Sequence, residues 1–233
     1  MKSSNSNSSS NPRPKALLAW SSGKDSAWTL NVVRRQNEYE VVGLLTTINE
    51  DYQRVAMHAV RREILEAQAR AAGLPLRTVP IPVGCSDVLY EERMGREMEQ
   101  AAAEGITHVI FGDLFLEDLR QWRCGQLAKV GMHAVFPLWM RDTKALAREI
   151  IAGGLVTYIT CVNPQRMPAG LCGSRFDEEF LAALPAGVDH CGENGEFHSC
   201  VVGGPMFDRP LPVKAGPTVE RDGFVFTDLE LLK

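Results

Sequence analysis

A chain of 233 residues, 45% hydrophobic and 23% charged, can bury a substantial core, which excludes wholesale disorder and fibrous architectures. Its formal net charge of -4 argues against broad, sequence-independent nucleic-acid binding, which needs Lys and Arg to neutralise phosphates. No apolar run is long enough to cross a bilayer, so no membrane partner is expected.

Residues 1–14 are rich in Ser, Asn and Pro and lack the apolar segment of a secretory signal. They read as a disordered tail on a soluble, cytoplasmic protein. The six cysteines, at positions 85, 124, 161, 172, 191 and 200, include no C-x-x-C pair, so free thiols are expected rather than a zinc ribbon or a redox site. Self-association is left open by the sequence.

After the tail, residues 16–20 form a short apolar strand that meets a Ser-Ser-Gly turn and a helix over 26–35. A second buried strand covers 41–48; Val60, Ile64, Leu65 and Ala71 then line one face of a helix that Gly73 can end. Residues 76–81 give a third strand, and Ser86 can cap a helix that runs to about Gly105. A fourth strand over 107–111, a helix over 119–130 and a fifth strand over 132–136 complete the pattern. Five short apolar strands separated by helices imply a doubly wound parallel sheet, order 3-2-1-4-5, covered on both faces and occupying 15–139.

Residues 140–233 read as a smaller α+β lobe. A helix over 143–152 leads into a strand over 155–162; a loop marked by Pro164, Pro168 and Gly170, a helix over 177–184 and strands over 197–202 and 223–229 follow.

The turn after the first strand is Ser21-Ser22-Gly23-Lys24-Asp25-Ser26. A Gly-containing turn at a helix N-terminus aims backbone N–H groups and the positive end of the helix dipole at one point, which suits a polyphosphate. Ser21, Ser22 and Ser26 add hydroxyls, Gly23 allows close approach, and Lys24 supplies a compact positive charge. The same residues would also serve as an ordinary polar loop, with Asp25 in the first helical turn. It is not a Walker A loop, since Leu18 and Asp25 stand where that motif has Gly and Ser or Thr. It resembles the S-G-G-x-D-S pyrophosphate loop of the N-type ATP pyrophosphatases, with Ser22 in place of a glycine.

Phe111-Gly112-Asp113 closes the fourth strand, and in the order 3-2-1-4-5 that strand neighbours the first across the switch point. Asp113 would then edge the same crevice, either holding Mg²⁺ beside phosphate oxygens or capping the next helix. Thr46 and Thr47 lie where an adenine could stack beside the second strand. His58 reads as a surface helix residue or a catalyst. In the second lobe, Gly192-Glu193-Asn194-Gly195-Glu196-Phe197-His198-Ser199 gathers two carboxylates, a His and a hydroxyl, as a ligand site or as an exposed turn.

The phosphate loop, Phe111-Gly112-Asp113, Phe136-Pro137-Leu138-Trp139 and the run from Gly192 to Ser199 stand in the order seen in the diphthine-ammonia ligase family, which this chain resembles over nearly all of 15–207. The resemblance implies a HUP-like, adenine nucleotide α-hydrolase-type domain and cleavage of ATP to AMP and pyrophosphate with Mg²⁺. It further implies amidation of a carboxylate by ammonia. Lys24, Asp113, Glu193, Glu196 and His198 would then be the catalytic set, with residues 21–26, Thr46 and Thr47 binding the nucleotide. The acceptor implied is protein-borne diphthine or a small metabolite carrying a carboxylate. Other expectations compatible with the loop are a tRNA-modifying enzyme and a non-catalytic ATP sensor.

Overall fold

The computed structural model describes residues 12–55 and 60–232; His58 and residues 1–11 of the expected tail lie outside the described residues. Strand β1 (Lys15–Ala19) sits at the centre of the first sheet, with Ala16 and Leu18 entering one apolar cluster and Leu17 the other. A strand that is apolar on both faces must be covered on both.

Strand β2 (Glu40–Asn49) lies parallel to β1 on one side. A two-residue strand β3 (Arg54–Val55) pairs antiparallel with Ile48 and Asn49, and β4 (Leu76–Ile81) runs parallel to β2. On the other side of β1 come β5 (His108–Ile110) and β6 (His133–Val135), again parallel. The five parallel strands are thus ordered β4-β2-β1-β5-β6, which is the expected 3-2-1-4-5. The extra strand β3 was not expected, because two residues in a polar turn carry no periodic signal.

Helices α1 (Lys24–Gln36) and α2 (Arg62–Ala72) cover the face of Ala16 and Leu18; α3 (Asp87–Ala103) and α4 (Glu117–Ala128) cover that of Leu17. Local chemistry sets their limits. Gly73 ends α2 at φ 65°, and the Ser86 hydroxyl starts α3 by accepting a hydrogen bond from Leu89 N–H at 3.3 Å.

Beyond them come α5 (Thr143–Ala152), β7 (Val156–Val162), α6 (Glu178–Ala182), β8 (Phe197–Gly203), β9 (Val213–Arg221) and β10 (Phe224–Leu231). The strands form an antiparallel sheet in the order β8-β7-β10-β9. Sequence reading missed β9, an exposed edge strand that contains Gly216 and Pro217 and shows no apolar alternation. Cys200, Val201 and Val202 of β8 join the cluster beneath α1 and α2, so one core runs from the first sheet into the second. All six cysteines are free thiols.

An ionic clasp also joins the sheets. Asp228 on β10 accepts from Arg54 at 2.9 and 3.1 Å and from Arg61 at 2.6 and 3.0 Å. Burial would raise the Asp228 pKa, but the two guanidinium groups outweigh it and hold it at about 2. Asp228→Asn is therefore expected to cost about 1 kcal/mol of stability near neutral pH, a small figure because both arginines are partly exposed. The folded pKa lies below the unfolded one, so this contribution is present above about pH 4 and lost as pH falls toward 2. Thermal unfolding of both proteins across that range should show the gap closing on acidification; a constant gap would contradict the clasp.

Candidate active site

Beyond β1 the chain turns through Trp20, Ser21, Ser22 and Gly23 into α1, whose N-cap Gly23 makes no side-chain cap. The turn is closed by its own hydroxyls: Ser21 Oγ takes a hydrogen bond from Gly23 N–H at 3.3 Å and lies 3.2 Å from Ser26 Oγ, which donates to Gly23 O at 3.0 Å. Ser22 is fully buried at φ 69°, the left-handed region that glycine enters without a Cβ clash. Its hydroxyl has no partner among the described residues. Its carbonyl accepts from Val201 N–H of β8 at 2.9 Å and from the Gln68 amide of α2 at 3.2 Å. Ser199 Oγ of β8 accepts from Lys24 N–H at 3.2 Å.

A cavity of about 700 Å³ opens over this turn, at the C-terminal edge of the parallel sheet. It brings together Ser21, Lys24, Asp25, Ser26, Thr46, Thr47, Asp113, Glu193 and His198. Ser22 and Gly23 form the backing of the turn rather than the lining. The Thr46 hydroxyl donates to Trp20 O at 2.6 Å, so it ties β2 to the turn; Thr47 stays partly open to the cavity.

The electrostatics centre on Lys24, which is 2% exposed. Its ammonium donates to Asp25 at 2.8 Å and to the Cys191 carbonyl, and it faces the rings of Phe197 and Phe176 at 5.1 and 5.7 Å. Burial pulls its pKa down, but Asp25, Cys191 and Glu193 outweigh this and leave it raised, so Lys24 stays charged. Asp25 is raised by burial against the pull of Lys24, and its Oδ1 has no partner among the described residues. Asp113 is raised by burial and by the charge of Asp25, opposed by Arg123, which lies 2.9 Å away on α4. Burial first, then the charges of Asp25 and Asp113, push Glu193 up to about 7, against the Leu114 hydrogen bond and Lys24. Burial and Lys24 pull His198 down to about 4, leaving its imidazole neutral at pH 7.

Three carboxylates thus share two cations, the Lys24 ammonium beside Asp25 and the Arg123 guanidinium beside Asp113, a charge balance that leaves room for a further cation. No three acidic, His or Cys side chains among the described residues converge into a cage; Mg²⁺ needs only one or two protein carboxylates when phosphate oxygens complete its shell. Asp113 does not cap α4, whose N-cap is Leu116, so the capping alternative fails and the carboxylate remains at the cavity.

Glu196 is the expected site residue that the structure turns away. It is 2% exposed, and its oxygens accept from Asp189 N–H at 3.2 Å, Asn194 N–H at 3.0 Å and the Asn194 amide at 3.1 Å. A carboxylate so occupied braces the loop over 189–195 instead of meeting a ligand. Asp189 completes that brace by accepting from Cys191 and Glu193 N–H at 3.1 and 2.9 Å. The effect is to aim Glu193, whose Oε1 accepts from Leu114 N–H at 2.8 Å, directly beside Asp113.

Sequence reasoning missed Arg123, Asp189, Gln68 and the packing role of Gly112. For Gln68 a signal existed: it is the one polar residue in a buried stripe with Ile64, Leu65 and Ala71 on α2. A Cβ at Gly112 would lie 3.0 Å from Asp25 C and 3.1 Å from Asp25 O and Ser26 N, so the segment just beyond β5 packs backbone to backbone against the start of α1.

Fold and cavity together define a HUP-like α/β architecture carrying a smaller antiparallel lobe. Residues 14–134 match the family model of the diphthamide synthase N-terminal domain and residues 142–228 that of its C-terminal domain, so the chain belongs to the diphthamide synthase family. It is also similar to a diphthine–ammonia ligase of Rattus norvegicus, 26% identical over 242 residues that cover 91% of this chain and 88% of that protein. No helix among the described residues is long and apolar enough to cross a membrane.

Gly112→Ala should push the first turn of α1 by a few tenths of an ångström. Titration calorimetry with Mg²⁺ and pyrophosphate is expected to show binding weakened about tenfold in a protein that still folds, the order expected when a preorganised donor set is misplaced. Unchanged affinity would mean that the turn does not hold phosphate.

Proposed function

We propose that this chain is an AMP-forming ligase that adenylates a carboxylate with ATP and amidates it with ammonia. The observation that carries the reading is the convergence of the phosphate-type turn, Asp113, Glu193 and His198 on one cavity. Family membership and the name of the rat relative support the same reading, including protein-borne diphthine as acceptor; a small metabolite carrying a carboxylate is the other candidate.

The acceptor carboxylate oxygen attacks the α-phosphorus of ATP and pyrophosphate leaves, giving an acyl-adenylate. Ammonia nitrogen then attacks the acyl carbon, the bond to the AMP oxygen breaks, and a proton leaves the nitrogen. Loop amides and Lys24 stabilise the charge on departing pyrophosphate, so Lys24 must turn from Asp25 and the Cys191 carbonyl toward phosphate. Asp113 would hold Mg²⁺, assisted by the unpartnered oxygen of Asp25; the ion supplies charge neutralisation on the phosphates. Glu193 takes the proton from nitrogen, and neutral His198 orients the acyl group or ammonia by hydrogen bonding.

Incubation with ATP, Mg²⁺, ammonium and a panel of carboxylates, diphthine-bearing protein included, tests this directly. AMP with pyrophosphate and an amide are expected; ADP with phosphate would contradict the reading. A second test uses acidity. Glu193 is protonated below its pKa of about 7, so kcat/KM for amide formation, referred to free NH₃ so that ammonium deprotonation is divided out, should rise with pH through neutrality. Glu193→Gln should abolish that rise and lower amide formation by about 10²-fold or more while sparing ATP binding. A pH profile identical in the two proteins would remove Glu193 from the chemistry.

A further inference from the structure

We propose that Gln68, remote from the cavity lining, is a positioning residue that holds the phosphate turn in its working shape. Its side chain is fully buried on the apolar face of α2, four residues after Ile64 and three after Leu65. An amide there is tolerated only when its hydrogen bonds are met. Gln68 meets them at three points on two segments, the turn and β8. Oε1 accepts from the Trp20 indole N–H at 2.9 Å, and Nε2 donates to Ser22 O at 3.2 Å and to Val201 O of β8 at 2.7 Å.

Those anchor points bracket Ser21, whose side chain lines the cavity, and they grip the strained residue itself. A residue with a Cβ is disfavoured at φ 69° by roughly tenfold in population, so Ser22 holds that shape only if its carbonyl is pinned. Two donors pin it: the Val201 amide and Gln68. Because Gln68 also bonds Val201 O, it fixes the turn and β8 to each other, and with β8 come His198 and Ser199. Glycine at position 22 would reach the same φ without steric cost, which makes the dependence on Gln68 a consequence of serine standing there.

The test compares Gln68→Met and Gln68→Glu, each in the natural chain and in a Ser22→Gly background. In ligand-free protein the Trp20 indole N–H resonance and amide exchange at residues 22–24 report the turn; calorimetry with Mg²⁺ and pyrophosphate reports its use. Gln68→Met is expected to move the indole resonance, speed exchange over 22–24 and weaken pyrophosphate binding about tenfold, with recovery to within about threefold once residue 22 is glycine. Gln68→Glu keeps the acceptor for Trp20 and loses the donor to Ser22, so it should leave the indole resonance in place and still weaken binding; it also serves if the methionine variant fails to fold. A loss of the same size in the glycine background would show that Gln68 merely supports the fold, and unaltered exchange over 22–24 would overturn the proposal outright. The binding arm rests on the turn holding phosphate. Were the natural protein to bind neither pyrophosphate nor ATP, that reading would fail, while exchange and the indole signal would still decide for or against Gln68.

Discussion

A left-handed, buried serine cannot keep its shape without a grip on its backbone, and in this chain the grip comes from the other sheet. Val201 N–H reaches Ser22 O and Ser199 Oγ receives Lys24 N–H, so strand β8 and the turn after β1 are joined at two points two residues apart on each side. Those contacts order the site. With β8 fixed against the turn, His198 enters the cavity at a set place, and the loop over 189–195 arrives from the same direction with Glu193 in front. The cavity has walls from both sheets because the turn that forms its floor is itself completed by β8.

Charge follows from the same closure. Burying Lys24 in the cavity wall removes it from water, and anionic neighbours keep it protonated there; Asp25 and the Cys191 carbonyl supply the contact, with Glu193 adding charge. Burial raises Asp25, Asp113 and Glu193, and repulsion adds to it: Asp189 acts on Asp25, Asp25 on Asp113, and both Asp25 and Asp113 on Glu193. With Lys24 and Arg123 answering only part of that charge, the site has room for a cation, as the proposed use of ATP with a divalent ion requires. His198 responds oppositely, since burial beside an ammonium keeps an imidazole neutral.

The strand order and the closeness of the turn to Asp113 were legible in the sequence, because apolar period and connection length leave few doubly wound arrangements for five such strands. The short strand β3 and the exposed β9 were not, since neither buries a repeating set of side chains. Within the site, the sequence supplied residue types but not directions. Nothing in Gly192-Glu193-Asn194-Gly195-Glu196 says which glutamate faces the ligand; that is decided by backbone turns at Gly192, φ 72°, and Gly195, φ 79°, and by unpaired amides that need an acceptor. Arg123 gave no signal at all, as its pairing with Asp113 depends on the seat of α4 over β5.

Each functional run accordingly divides into members that face the cavity and members that hold the first group in place. In the turn, Ser21, Lys24, Asp25 and Ser26 face forward while Ser22 and Gly23 form the backing; in the second run, Glu193 and His198 face forward while Glu196 is spent on the loop's own amides. The division has a physical origin. A carboxylate that holds one amide, as Glu193 holds Leu114 N–H, keeps an oxygen for a ligand, whereas one that holds three, as Glu196 does, is occupied; a loop rich in unpaired amides therefore needs separate acceptors inside it. Glu196 and Asp189 fill that need for residues 189–195; Gln68 serves the joint behind the turn in both senses, accepting from the Trp20 indole and donating to Ser22 O and Val201 O. Polar residues buried behind a cavity are therefore part of how it works even where none of their atoms meets the ligand.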